Sequence, residues 1–162
     1  LVPPRCRGDD LRYLWFFLIT LLLSYPAQAE LDTTSSVPPH TNEIIEKFIS
    51  SQTDHESKIA AKSQDFILSD MNANGTDELI LLWTALGPTY WQNHLTIFST
   101  ENDIYAPVAT LPLTGEAKLN SVDKNIIHVD HKLPGKNDPR CCPSIEKQIH
   151  YQWQKDTIVK VE

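Results

Sequence analysis

The spacing of apolar and polar positions divides this chain into three stretches. Residues 11–23 form an apolar run, with Arg5, Arg7 and Arg12 towards its N-terminal side and Pro26-Ala27-Gln28-Ala29 after it. Residues 30–40 are polar, lack a period and include Pro38-Pro39, which forbids a helix there. Ile44, Ile45, Phe48 and Ile49 then recur at the spacing that gathers side chains on one helical face. This predicts a short helix capped by Thr41 or Asn42 and fading near Ser50 or Ser51. Residues 52–62 are polar and read as loop or weak helix.

From about Ser63 the pattern is that of strands. Phe66-Ile67-Leu68 leads into a polar loop at residues 70–77, and Glu78-Leu79-Ile80-Leu81-Leu82-Trp83 is apolar without alternation. Such a strand must be covered on both faces, and the N-terminal helix is the natural cover for one of them. Residues 94–100, 105–111, 118–122 and 125–131 follow at hairpin spacing, with Gly, Asn, Asp and Pro between them. In residues 147–154, Ile149, Tyr151 and Trp153 alternate with Gln148, His150 and Gln152, and residues 157–161 make a last strand. The expected fold is α+β and mostly β: an antiparallel sheet of about seven or eight strands with one N-terminal helix packed on it.

The first stretch reads as an export signal: a basic n-region, an apolar h-region and an A-x-A cleavage site. The run is shorter than the ~20 apolar residues a bilayer span takes, which predicts cleavage after Ala29 and no stable membrane span after processing. Leu1 is not methionine and Asp9-Asp10 is unusual in an n-region, so translation is expected to begin downstream of Leu1. The predicted organisation is a signal peptide at 1–29, a flexible leader at 30–40 and a single globular domain at 41–162. After cleavage the chain carries 11 Lys and Arg against 19 Asp and Glu, a formal charge of −8, and Arg140 is its only arginine. Phosphate-rich partners need clustered basic side chains, so nucleic acid and anionic membrane surfaces are poor candidates as partners.

Two local features carry candidate chemistry. In Asp70-Met71-Asn72-Ala73-Asn74-Gly75-Thr76-Asp77-Glu78, oxygen-bearing side chains fall at the first, third, fifth and ninth positions, with glycine at the sixth. This spacing suits Ca²⁺, which takes 6–8 oxygens, with Asp70, Asn72, Asn74, the Thr76 carbonyl and Glu78 as ligands. No glutamate stands at the twelfth position, which is Leu81. The alternative is a metal-free turn, since Asn-Gly favours hairpins and Asp and Asn side chains bond neighbouring amides unaided. The loop resembles the strand-loop-strand calcium loops of integrin α-subunit propeller repeats and of related bacterial surface repeats.

The second feature is the pair Cys141-Cys142 within Asp138-Pro139-Arg140-Cys141-Cys142-Pro143-Ser144. Adjacent Cα atoms lie about 3.8 Å apart, below the usual disulfide range of about 4.4–6.8 Å, so a bond between them is strained. An oxidising compartment favours that vicinal disulfide as a rigid knuckle. A dithiol, free or paired between molecules, is the second reading. A redox or metal role is the third, with His128, His131 or His150 joining the thiolates around Cu(I) or Zn²⁺. The C-x-x-C spacing of thiol oxidoreductases is missing.

Trp83, Tyr90 and Trp91 around Gly87-Pro88 read as core packing or as a ligand platform. Asp70, Asp77 and Glu78 could pair as acid and base, but the sequence has no G-x-S-x-G, H-E-x-x-H or P-loop motif to accompany them. From residue 60 onward, the Asp70 loop, apolar strand, aromatic hairpin, Asp-Pro-x-Cys-Cys-Pro-Ser run and closing Tyr151-Gln152-Trp153 strand resemble a group of bacterial exported proteins and lipoproteins. The resemblance implies an envelope location. This chain departs from the group in having Asn74 where the calcium loop usually has Asp, and in lacking a lipid-anchor cysteine. The expectation is a periplasmic or secreted, non-catalytic module binding an envelope protein, glycan or small ligand, with Ca²⁺ as a possible cofactor. The alternative is a metal- or thiol-redox-linked periplasmic protein using the adjacent cysteines.

Overall fold

The computed structural model describes residues 40–101, 104–139 and 142–161. The predicted signal peptide, most of the leader, Arg140 and Cys141 lie outside the described residues. The elements run α1 (Thr41–Ser51), β1 (Ala60–Ser69), β2 (Glu78–Leu86), β3 (Trp91–Glu101), β4 (Ile104–Leu113), β5 (Glu116–Asp123), β6 (Ile126–Leu133), β7 (Ile145–Gln154) and β8 (Thr157–Val161). All strand pairings are antiparallel between sequence neighbours, but they form two sheets, β1-β2-β3-β4 and β5-β6-β7-β8. The eight strands are thus divided into two four-stranded meanders where a single sheet was expected.

Side-chain alternation assigns the layers. On β2, Ile80 and Leu82 point to a core shared with Leu95 and Ile97 of the first sheet and with Leu119, Ile127, Val129, Ile149, Tyr151 and Ile158 of the second. Leu79, Leu81 and Trp83 point the other way and meet Ile45 and Phe48 of α1. The run therefore lacks alternation because it is covered on both faces, by the second sheet and by the helix. Phe48 sets its ring edge-on against Trp83, at 5.6 Å between centroids, and against Phe98, at 5.0 Å.

The helix begins differently from its expected cap. His40 occupies the N-cap position without a side-chain cap bond, and its carbonyl accepts from Ile44 N–H at 3.0 Å. Thr41 is turned inward and buried, so its hydroxyl does not serve the cap. Residues 52–59 form neither helix nor open loop: Asp54 and Ile59 make a two-way backbone bridge, with Asp54 Oδ1 accepting from Glu56 and Ser57 N–H.

The switch between sheets falls at Thr114-Gly115. Gly115 has φ +76°, and a Cβ there would stand 2.2 Å from the Lys132 carbonyl oxygen, so only glycine fits. A line of side chains anchors this corner. Gln64 donates to Thr84 Oγ1 at 2.9 Å, Thr84 to Asn93 Oδ1 at 2.6 Å, and Asn93 Nδ2 to the Gly115 carbonyl at 3.1 Å. Gln64 lies where the β1–β2 register shifts, so a bulge aims the first member of the line.

Candidate functional site

The predicted calcium loop and cysteine turn lie at opposite ends of the first sheet. Residues 70–77 join β1 to β2 beside Glu78, whereas Pro134 and Pro143 flank a cleft of about 200 Å³ with Trp91 and Leu113 at the other end. The nine residues of β2 separate them by roughly 30 Å at the rise of an extended strand. They are two structures, not one site.

In the Asp70 loop the side-chain oxygens turn onto the loop's own amides. Asp70 Oδ1 accepts from Asn74 N–H at 3.0 Å and Oδ2 from Gly75 N–H at 2.8 Å. Asn72 Oδ1 also accepts from Asn74 N–H at 3.0 Å, and Asn74 Oδ1 from Thr76 N–H at 2.8 Å. The left-handed residues are Ala73, at φ 59°, and Gly75, at φ 86°, so the loop is a wide Asx-bonded turn and not a two-residue Asn-Gly hairpin.

Glu78 is buried to 1 % exposure and faces into the loop base. Its Oε2 accepts from Met71 N–H at 2.8 Å and its Oε1 from Asn72 Nδ2 at 2.7 Å. Burial raises its pKa above the usual carboxylate value, against the bond from Met71, and the nearby Asp70 charge raises it further. For a cation, Asp70, Asn72, Asn74 and Glu78 stand on one loop, but each of their side-chain oxygens already accepts a loop hydrogen bond, which an ion would have to share or displace. Tyr105 Oη donates to the Asp77 carbonyl at 2.9 Å and ties the loop to β4.

The cysteine turn has a staple that its sequence did not advertise. Asp138 Oδ2 accepts from Gly135 N–H at 2.6 Å and Ser144 N–H at 2.8 Å, while Oδ1 accepts from Ser144 Oγ at 3.0 Å. These bonds hold the Asp138 pKa below the usual carboxylate value. The first and last residues of the Asp-Pro-x-Cys-Cys-Pro-Ser run thereby close on each other. Cys142 is exposed, and its N–H donates to the Pro139 carbonyl at 3.0 Å.

The three histidines proposed beside the cysteines separate. His131 is buried between the sheets: Nδ1 lies 3.1 Å from the Thr114 carbonyl and Nε2 lies 3.0 Å from Tyr151 Oη. The carbonyl can only accept, so Nδ1 carries the proton and Tyr151 donates to Nε2. Burial lowers the His131 pKa and raises that of Tyr151, which keeps both neutral. His128 and His150 are directly opposite each other on β6 and β7, on the outer face, with Nδ1 atoms 2.8 Å apart. Five residues of β6 place His128 roughly 17 Å from Leu133, where the cysteine turn begins.

The aromatic hairpin also divides. Trp83 is buried, stacked on His94 at 4.3 Å, and donates from Nε1 to Thr96 Oγ1 at 2.9 Å. Tyr90 and Trp91 are exposed, and Trp91 meets Pro143 across the small cleft.

The outer face of the second sheet holds a larger cleft, of about 560 Å³, that sequence reasoning missed. Its rim is polar: Glu116, Lys132 and Glu146 form one cross-strand row, and Lys118, Asp130 and Gln148 the next. Asp130 is held by Asn120 Nδ2 at 2.7 Å and Gln148 Nε2 at 3.0 Å, bonds that lower its pKa. Asn120 sits at the β5 register shift, so a bulge again aims the side chain. The signal available in the sequence was the polar half of each alternating strand.

No family model, curated protein or solved structure matches this chain. Among the described residues no group of three or more His, Cys, Asp or Glu is arranged to hold a metal, and no helix is long and apolar enough to cross a membrane.

Proposed function

We propose that this chain is an exported bacterial envelope protein that acts by binding, and that its binding surface is the outer face of the second sheet. The observation that carries the reading is the 560 Å³ cleft rimmed by Glu116, Lys118, Asp130, Lys132, Glu146 and Gln148. Charges of both signs alternate across neighbouring strands there, which suits a polar partner such as an envelope protein or glycan and opposes a lipid or a polyanion. The inner face of the same sheet is committed to the core, so the outer face is free to vary for recognition. Export is supported by the basic, apolar and A-x-A pattern of residues 5–29.

The two loops act in this reading as braces at opposite ends of the first sheet. A vicinal disulfide between Cys141 and Cys142 would stiffen a turn whose ends Asp138 and Ser144 already join. The Asp70 loop serves as its brace without a metal, being closed by its own amides and by the Glu78 clamp.

Export and cysteine pairing are tested by expressing the chain in a Gram-negative host, fractionating the cells and taking the intact mass without reductant. The expected species is periplasmic, starts at Glu30 and is two hydrogens lighter than the reduced form. A full-length cytoplasmic product, or two thiols open to alkylation, contradicts the corresponding part.

A further inference from the structure

We infer that His128 and His150 form a surface site for a divalent transition metal, Cu²⁺ above all. The pair is directly opposed on β6 and β7, and both rings are half-buried on the solvent face of the second sheet. Their Nδ1 atoms lie 2.8 Å apart, with ring centroids at 4.7 Å and planes at 79°. In the metal-free pair one Nδ1 carries a proton and donates it to the other.

The directly opposed rings offer two imidazole nitrogens to one ion. Two nitrogens at the usual bond length of about 2.0 Å from one metal lie about 2.8 Å apart when they subtend a right angle, and about 3.3 Å apart at the tetrahedral angle. The observed 2.8 Å is set by the N–H···N hydrogen bond between the rings, and it puts both nitrogens within reach of one ion. Imidazole nitrogens in a square-planar or tetragonal field suit Cu²⁺ or Ni²⁺, and Cu²⁺ also heads the general affinity order. To point both lone pairs at one ion, the rings give up their mutual hydrogen bond and turn about the soft terminal torsion of histidine. The proton on Nδ1 of the donor ring moves to Nε2 of the same ring by exchange with water, which leaves both Nδ1 lone pairs to the metal. Water fills the remaining positions, because no third His, Cys, Asp or Glu completes a cluster among the described residues.

The strands hold the pair ready. Asn120, Asp130 and Gln148 form a bonded row on the same face beside it, and Asp130 adds negative charge two positions along β6. The site does not depend on the proposed function above.

The test is Cu²⁺ titration of the thiol-alkylated protein against a glycine competitor, followed by electron paramagnetic resonance. One Cu²⁺ per chain is expected, with an axial spectrum showing coupling to two imidazole nitrogens. His128→Gln and His150→Gln should each lower the affinity at least tenfold, while the exposed His55→Gln should leave it unchanged. Circular dichroism of each variant separates loss of the ligand from loss of the fold, and adding Cu²⁺ should raise the melting temperature of the parent but not of the double variant. Unchanged affinity in folded His128→Gln or His150→Gln, or a spectrum without two-nitrogen coupling, overturns the assignment.

Discussion

Glu78 closes the Asp70 loop from below, its Oε2 accepting from the Met71 backbone N–H at 2.8 Å in a buried setting. Met71 itself belongs to the core between the two sheets, so the carboxylate couples the loop to the sandwich. Glu78→Ala leaves that buried N–H without a partner, at a cost of about 1–3 kcal/mol. Urea unfolding at neutral pH checks the loss. Burial raises the folded pKa above its ordinary 4.5, so the folded state binds more protons between 4.5 and the raised value. Stability referred to Glu78→Gln should therefore fall as pH rises through that window. A rise, or a flat difference, contradicts the buried clamp.

The Asx-bonded loop is expected to keep its structure without metal, because Asp70, Asn72 and Asn74 each accept backbone amides. Chelation with EDTA should leave the melting temperature unchanged, and Asp70→Ala should lower it equally with and without Ca²⁺. A rise of several degrees on adding Ca²⁺, abolished by Asp70→Ala, would show instead that a bound ion helps hold the loop.

Asp138 should govern order in the cysteine turn. Its carboxylate is held below its ordinary 3.8, so the stabilisation it gives is present above that value and is lost as pH falls through the depressed one. In Asp138→Ala the amides of Gly135 and Ser144 should exchange with deuterium at least tenfold faster, by loss of a charge-assisted bond each, while Ile127 in the core stays protected. Equal exchange in parent and variant would remove the staple from the account.

Tyr151→Phe leaves His131 Nε2 buried without a donor and should cost about 1–3 kcal/mol in chemical denaturation. Burial lowers the His131 pKa from its ordinary 6.5, so the unfolded chain binds more protons below that value. The resulting contribution to stability should decline as pH falls through 6.5 towards the lowered pKa. Denaturation midpoints across that range, compared with His131→Gln, read the effect.

Much of the fold was legible because alternation and its absence report burial directly. Ile149, Tyr151 and Trp153 lie on one side of β7 as their spacing indicated, and the unbroken run at residues 79–83 is covered on both faces. The division into two sheets was not legible, because a hairpin-length link looks alike whether the next strand stays in the sheet or leaves it at Gly115. Register hid one site: His131 continues Ile127 and Val129 at period two and so turns inward, but only pairing across the loop at residues 134–144 shows that His128 faces His150. Glu78 and Asp138 were visible as acidic residues, but their buried or stapling roles depend on which amides the folded loops bring to them.

Binding at the outer face of the second sheet is tested most directly by site-specific photocrosslinking in intact cells. A photoreactive residue is placed at Lys118 or Gln148 within the cleft, and at Lys47 on the exposed side of α1 as control. The expected result is a discrete adduct from positions 118 and 148, absent from 47 and lost when Asp130 and Glu146 are both changed to lysine. No adduct from the cleft, or equal adducts from all three positions, contradicts binding at this face.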